Sequence, residues 1–261
     1  MGTDPELDWQ AWRSARNEQF ADPYGWLSLT ALHWLDDAPS ALDGLPGLWW
    51  ADDKGVHHDP AGSPGEVRFG GRAVTAAELL WNPADGRAPQ VTHGDRRLEL
   101  IDRGWGLSGI RVRDPRAEAL QAYDGVPAFS YDPAWRVTGR YRRYDSARQV
   151  VVGSVASRVQ HSQQVTGEID LVVGGIVQTL KVTGGDGWLV AFHDASNGAE
   201  TTRHCRWIEL DQEPDDDVVV DFNRAANPPC AFTDYGTCPL PPAGNTIPVP
   251  VLAGERDPRR A

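Results

Sequence analysis

Hydrophobic and polar positions alternate along the second half of the chain, which is the pattern of half-buried β-strands. The clearest example is a pair of runs, 168–173 and 176–182, separated only by Gly174-Gly175. Two glycines between two strand-like runs predict a tight hairpin. The other short strand-like runs lie at 135–141, 149–152, 154–159, 188–192, 205–210 and 218–222. Together they predict an antiparallel meander without long helices.

The first half of the chain has a different pattern. Residues 7–20 carry apolar positions at roughly helical spacing, and Pro23 and Gly25 follow, which predicts a helix that ends before this turn. The segment 26–35 is densely apolar and combines helical and strand features. From residue 48 to 113, short apolar runs alternate with turn residues, and this spacing predicts further antiparallel β structure.

The last quarter is rich in proline at 227–230 and 238–242. Because proline has no N–H group to donate, these segments cannot be central strands and should wrap across the sheet or frame a pocket. We therefore predict a mostly β fold: an antiparallel barrel or sandwich assembly with an N-terminal helix and a proline-rich C-terminal wrap. The expected parts, which can form one structural unit, are a helix at 1–24, a smaller β region packed on the core at 25–118, and an antiparallel core at 119–261.

Composition narrows the classes of function. The chain has 261 residues, a formal net charge of −12 and no basic run, so we expect no nucleic-acid partner. No apolar run approaches the roughly 18–20 residues of a membrane span, and the acidic start lacks the apolar region of a secretory signal. Three cysteines make no disulfide framework and fit a reducing cytoplasm, the expected location. The histidine and cysteine spacing matches no strong metal template, so we expect no metal and no other cofactor.

Potential acid–base groups concentrate in two stretches, 192–206 and 221–245. If the predicted strands before them are neighbours, their ends bring together four candidate catalytic residues: His193, Asp194, Glu200 and Asp221. Carboxylates and imidazoles in one pocket can transfer protons or activate water. A structural interpretation competes with this one, because Asp and Asn side chains commonly hold turns through hydrogen bonds to nearby backbone.

The same stretches resemble a known family, the DUF1684 proteins, which are bacterial and archaeal proteins of unknown function. The resemblance is carried by DFNRAANPPCAF at 221–232, TCPLPP at 237–242, and then Asn245, Ile247-Pro248 and Ala253-Gly-Glu255. Segment 192–206 is also similar, and weaker similarity extends back to 24–29. The chain departs from the family pattern at Ala226 and Thr202, where the family usually has aromatic residues, so a shared site can be reshaped here. The resemblance implies no particular reaction.

We expect a small-molecule protein with its pocket near loops 192–206 and 221–245, and we favour a cofactor-independent acid–base or hydrolytic enzyme. The alternative is a non-catalytic ligand-binding or interaction module in which the polar residues only hold loops. The expected partner is a small-molecule ligand or substrate, with no nucleic acid and no membrane, and the sequence leaves the oligomeric state open. The candidate substrate-binding residues are Trp188, Arg206, Trp207, Asn223, Arg224, Asn227, Tyr235 and Asn245.

Overall fold

The computed structural model describes residues 4–63, 66–185 and 187–260, so the first three residues of the acidic start lie outside it. The chain is mostly β, with antiparallel sheets and an N-terminal helix, which confirms the predicted fold class. It divides into two compact units: the first combines residues up to Glu18 with those from Asp124 onward, and the second contains residues 19–123. Within the described ranges, no helix has the length and apolar character of a membrane span.

The N-terminal helix, α1, spans Pro5–Phe20. A proline is well accepted in the first helical turn, where its missing N–H would have no partner, and the Asp4 carboxylate accepts a hydrogen bond from the Glu6 N–H at 3.0 Å. The Trp9 ring is buried, and its indole N–H donates to the Asn223 carbonyl at 3.0 Å. An aromatic side chain therefore anchors the start of the helix within the first unit.

The second unit is built from short strands. In the described residues they are β1 (Leu29–Trp34), β2 (Ser40–Ala41), β3 (Leu48–Asp52), β4 (Gly55–Asp59), β5 (Val67–Phe69), β6 (Arg72–Ala73), β7 (Glu78–Trp81), β8 (Val91–His93), β9 (Arg96–Asp102) and β10 (Ser108–Arg113). They form two antiparallel sheets, ordered β1-β10-β9-β8-β5-β6 and β2-β3-β4-β7. A 3-10 turn at Trp26–Ser28 precedes β1, so the ambiguous segment 26–35 is a turn followed by a strand. A short helix, α2 (Glu118–Gln121), follows β10.

The first unit contains the longer strands. They are β11 (Arg136–Gly153), β12 (Gln160–Val173), β13 (Ile176–Gly184), β14 (Trp188–Asp194), β15 (Arg206–Leu210), β16 (Asp217–Asp221) and β17 (Thr246–Ile247). The sheet order is β15-β14-β13-β12-β11-β16, and β17 pairs with β14 in parallel. Strands β11 to β15 form an antiparallel meander, curved as a half-barrel, but β16 does not continue it and returns to pair with β11 at the opposite edge. The predicted strands 135–141 and 149–152 belong to one long strand, β11, and the predicted strand 154–159 is a turn.

The β12–β13 hairpin shows how the sequence sets this sheet. Gly174 and Gly175 have φ angles of 56° and 79°, a region that glycine enters without steric cost, and the turn pairs Val173 with Ile176. Along β12, Ile169, Leu171 and Val173 are buried, while Asp170 and Val172 between them are not. The sheet therefore has one face on the core, with the alternation that the sequence predicts.

The segment that follows β16 wraps across the first unit, as the proline content predicts. It begins with 3-10 turns at Phe222–Arg224 and Pro229–Ala231. Farther on, the Leu240 N–H donates to the Gly153 carbonyl at 2.9 Å, so the wrap is fastened to the end of β11. Because proline-rich chain supplies few N–H donors, side chains must hold much of the remaining wrap in place.

Candidate functional site

The two motif stretches meet at a buried ion pair between Asp194, which ends β14, and Arg206, which begins β15. Nη2 of Arg206 donates to Oδ2 of Asp194 at 2.9 Å, and both side chains are 0% exposed. The other Asp194 oxygen, Oδ1, accepts hydrogen bonds from the backbone N–H and hydroxyl of Ser196. Burial lowers the pKa of the Arg206 guanidinium, and the Asp194 carboxylate opposes that shift. The guanidinium keeps its charge, because arginine is not deprotonated in proteins.

Arg206 and Asp194 also hold the C-terminal segment. Arg206 donates through Nη1 to the Ala253 carbonyl and through Nη2 to the Val251 carbonyl, the latter at 2.8 Å. From the other side, Asp194 Oδ1 accepts the Val251 N–H at 3.1 Å. A buried charge is tolerated when it is paired and hydrogen-bonded. The ion pair therefore fastens segment 251–253, which lies outside the strands of the described chain.

A second ion pair extends this arrangement to α1. Nε of Arg16 donates to Oε1 of Glu255 at 2.8 Å, and Nη2 of Arg16 donates to the Asn227 carbonyl at 2.6 Å. The Asn227 N–H in turn donates to Oε2 of Glu255 at 2.6 Å. We call Asp194, Arg206, Arg16, Glu255 and Asn227 the polar clamp. Its polar groups hold the helix, the 221–232 motif and the C-terminal segment together.

Two members of the polar clamp were not among the predicted site residues. Glu255 has a signal in the sequence, because it ends the Ala253-Gly-Glu255 motif, whereas Arg16 is one of several charged residues on α1 and has none. Gly254 between the motif residues has a φ of 75°, and a Cβ there would lie 2.5 Å from the Ala225 carbonyl oxygen. Only glycine allows this close approach, which places the Ala253 carbonyl against Arg206 and the Glu255 carboxylate against Arg16.

Two predicted binding residues, Asn245 and Asn223, are buried and hydrogen-bonded to backbone. The Asn245 amide accepts from the Lys181 N–H at 2.8 Å and donates to the Lys181 and Ala191 carbonyls at 2.9 and 2.8 Å. The Asn223 amide accepts from the Asp132 N–H and donates to the Asp132 carbonyl. Each amide thus satisfies backbone groups far away in sequence: Asn245 those of β13 and β14, and Asn223 those of Asp132.

The other predicted residues of the 188–235 region lie in different settings. Glu200 is in an exposed ion pair with Arg256 at 2.9 Å, with each side chain 50% exposed. Trp188 on β14 and Trp207 on β15 are half-buried, and so is Tyr235 in the wrap. Asp194 and Arg206 are therefore joined, while Glu200 has its own surface partner.

His193 and His204 are both half-buried. Burial lowers the pKa of His193, against the opposing effects of Asp194 and a hydrogen bond with Asn197. Burial also lowers the pKa of His204, and the positive charge of Arg203 adds to that shift. Both imidazoles are therefore neutral at pH 7, the form in which a histidine can accept a proton.

The three cysteines are buried free thiols: Cys205, Cys230 and Cys238. Burial raises the pKa of Cys205 to about 12, and a hydrogen bond with Cys238 together with burial raises the pKa of Cys230. A thiol with a raised pKa is a poor nucleophile at neutral pH. Within the described part of the chain, no group of three or more His, Cys, Asp or Glu residues has the arrangement of a metal site.

An open cleft lies at the edge of the sheet where β16 pairs with β11. Its volume is about 330 Å³. Arg136 and Asp221 are directly opposite each other in the strand register. Arg224 lies in the 3-10 turn Phe222–Arg224 that follows β16. We call these three residues and their surroundings the β16 cleft, whose remaining walls include the carboxylates of Asp8, Glu209, Asp211, Asp215 and Asp217.

The polar groups of the β16 cleft have few partners within the protein. Oδ1 of Asp221 accepts hydrogen bonds from the Asn223 N–H and amide at 3.0 and 2.9 Å, and Oδ2 has none from a described residue. Arg136 makes no ion pair in the described ranges. Nε of Arg224 is buried without a partner there, and its Nη1 is 3.8 Å from an Asp211 oxygen. In this cleft, one carboxylate oxygen of Asp221 and Nε of Arg224 therefore have no partner among the described residues.

These features define a mostly β protein with a half-barrel sheet and a C-terminal segment held by buried polar residues. The family model of DUF1684, described as a protein of unknown function, matches residues 121–256, more than half of the chain. The chain belongs to the DUF1684 family, as its motifs predict. All but the first three matched residues lie in the first unit.

A similar solved structure comes from Haloarcula marismortui. It is a solution NMR structure of an uncharacterised protein, with 27% sequence identity and a TM-score of 0.45. The match covers 52% of this chain and 78% of the archaeal one. No curated protein matches the chain.

Proposed function

We propose that this chain is a non-catalytic small-molecule-binding protein whose ligand occupies the β16 cleft. One observation carries the proposal: Asp194 and Arg206 of the polar clamp form an ion pair inside the protein, whereas Arg136 in the cleft has no ion pair and Asp221 keeps one carboxylate oxygen without a hydrogen bond among the described residues. Arg206 and Asp194 are fully buried and hold the C-terminal segment. Arg136, by contrast, has no ion-pair partner among the described residues, and Asp221 keeps one oxygen without a hydrogen bond from them. Polar groups that converge on a cleft without internal partners are the usual mark of a ligand site.

The charges of the cleft favour a small zwitterionic ligand. Arg136 and Arg224 offer guanidinium groups to a carboxylate, and guanidinium matches carboxylate in geometry as well as charge. Asp221 and the surrounding carboxylates offer acceptors to an ammonium group. A volume of about 330 Å³ is at the small end of ligand pockets, which suits a molecule of amino-acid size.

Thermal unfolding of the full chain tests the proposal. The probes are glycine and alanine as zwitterions, putrescine as a cation and succinate as an anion, each at millimolar concentration. A ligand that binds only the folded state raises the melting temperature. We expect a zwitterion to raise the melting temperature of the unmodified chain. We expect the same zwitterion to leave the melting temperature of Arg136→Gln unchanged. Arg140→Gln is the matched control, because Arg140 is exposed, lies four residues farther along β11 and does not line the cleft.

Two results would count against a zwitterion site. One is the absence of any shift with all four probes. The other is an equal loss of the shift in Arg136→Gln and Arg140→Gln, which would indicate a general charge effect. A response to putrescine alone would assign the carboxylates of the cleft, and not its arginines, as the binding groups.

A second candidate function, acid–base catalysis, is favoured by His193. This half-buried imidazole has a pKa lowered by burial and lies beside Asp194 and Asn197, so it is neutral and able to act as a base. The test is hydrolysis of p-nitrophenyl esters above the buffer rate. If His193 is the base, the rate of ester hydrolysis should fall in His193→Gln. The rate should persist in the control His57→Gln, which changes a histidine of the second unit.

A further inference from the structure

A cleft in the second unit is lined by three arginines, although the chain carries a net charge of −12. Its volume is about 630 Å³. The charged and aromatic residues that line it are Tyr24, Arg87, Arg97, Glu99 and Arg113, and we call this set the arginine cleft. It is separate from the β16 cleft, whose lining residues all belong to the first unit.

The strand register places two of these arginines side by side. Arg97 on β9 is directly opposite Arg113 on β10, while their neighbours Leu98 and Val112 are buried in the core. Like charges that face each other across paired strands are destabilising. Glu99 relieves part of this repulsion, because its Oε2 accepts from Nε and Nη2 of Arg113 at 3.0 and 2.7 Å.

Arg97 is held in place without being neutralised. Its guanidinium carbon lies 3.5 Å from the centre of the Tyr24 ring, and the Tyr24 hydroxyl donates to the Asp95 carbonyl at 2.9 Å. Stacking on a fixed ring restricts the side chain and leaves its N–H groups free. In the described ranges neither the Arg97 nor the Arg87 side chain forms a hydrogen bond or an ion pair, so both guanidiniums can donate to a ligand.

We propose that the arginine cleft binds a small molecule through a doubly charged phosphoryl group. Glu99 offsets Arg113 and also lies 3.6 Å from Arg111, so it leaves the charges of Arg87 and Arg97 uncompensated. A phosphate monoester carries a charge of about −1.5 to −2 at pH 7, which matches these two guanidiniums. Each planar guanidinium can also donate two parallel hydrogen bonds to phosphate oxygens. A singly charged carboxylate would leave one arginine uncompensated.

Isothermal titration calorimetry on the full chain tests this assignment. The probes are inorganic phosphate and glycerol 3-phosphate, with acetate as the monoanion, all at matched ionic strength. We expect the phosphates to bind at least tenfold more tightly than acetate. Arg87→Gln and Arg97→Gln should each weaken phosphate binding about tenfold, the effect of losing a charged hydrogen-bonding partner. Arg140→Gln, which removes the same charge from the first unit, should leave the affinity unchanged.

The variants separate binding from folding. The Arg87 side chain makes no hydrogen bond, ion pair or ring contact with a described residue, so Arg87→Gln tests the site even if the loss of the Tyr24 stack in Arg97→Gln lowers stability. Three results would overturn the proposal: no heat of binding with either phosphate, equal affinity for acetate, or equal weakening in Arg140→Gln. Sedimentation with phosphatidic acid vesicles, with no response to the soluble phosphates, would overturn the small-molecule assignment and indicate a lipid headgroup.

Discussion

Asp194 and Asp221 occupy matching local positions but have different surroundings. Each ends a strand, and the Oδ1 atom of each accepts the N–H of the residue two positions later, Ser196 or Asn223. The second oxygen makes the difference. In Asp194 it meets the buried guanidinium of Arg206, whereas in Asp221 it has no described partner and borders an open cleft. The same residue in the same turn is thus a structural anchor in one place and a potential ligand contact in the other.

Burial determines which role is available. A buried ion pair such as Asp194–Arg206 cannot exchange its partners for a ligand without a large loss of free energy. A half-exposed side chain can change partners easily, since water supplies the alternative. The polar clamp is therefore expected to determine stability, and the β16 cleft to determine binding.

The largest expected effect comes from breaking the buried ion pair. Asp194→Ala leaves Arg206 charged and unpaired in the core, and breaking such a pair costs about 3–5 kcal/mol. Asp221→Ala removes only a turn cap, which costs about 1 kcal/mol. Chemical denaturation of both variants measures the difference. Similar losses of unfolding free energy in the two would contradict the division between anchor and cleft.

The second expected effect concerns Asn245, which joins β17 and its flanking chain to the main sheet. Asn245→Ala leaves the Lys181 N–H and the Lys181 and Ala191 carbonyls without their partner. Leaving buried polar groups unpaired costs about 1–3 kcal/mol, and urea denaturation should show a loss in this range. Asn82→Ala, at an exposed cap in the second unit, is the control. A smaller loss in Asn245→Ala than in this control would contradict the anchoring role.

Local pattern predicts much of this fold, because strand alternation and the Gly174-Gly175 turn depend on neighbours in sequence. It does not predict the return of β16 to β11, since that pairing joins Asp221 to Arg136 across 85 positions. The candidate site likewise has a part that the local sequence predicts and a part that it does not. Polar residues such as Asp194 and Arg206 are visible in the sequence, but their burial, and the contribution of Arg16 from α1, depend on tertiary packing.

A smaller effect on the free energy of unfolding is expected from the titration of two half-buried histidines. Burial lowers the pKa values of His193 and His204 below 6.5, so between pH 6.5 and the lower folded values the unfolded chain binds more protons. Their contribution to stability is complete above pH 6.5 and is lost as the pH falls through that window. NMR titration of the imidazole carbons should give midpoints below 6.5 in the folded chain and near 6.5 in urea. Folded midpoints at or above 6.5 would show that these rings are solvated.

The smallest effect is expected at Glu200, which has the same charge as Asp194 and an arginine partner but is half-exposed. Exposed ion pairs contribute about 0–1 kcal/mol, because water and salt weaken them and ordering two long side chains costs entropy. Glu200→Gln should therefore change the unfolding free energy by less than about 0.5 kcal/mol, and Arg256→Gln should have little further effect in the double variant. Denaturation at low and high salt measures both. A loss close to that of Asp194→Ala would mean that charge, and not burial, decides which carboxylates hold this fold.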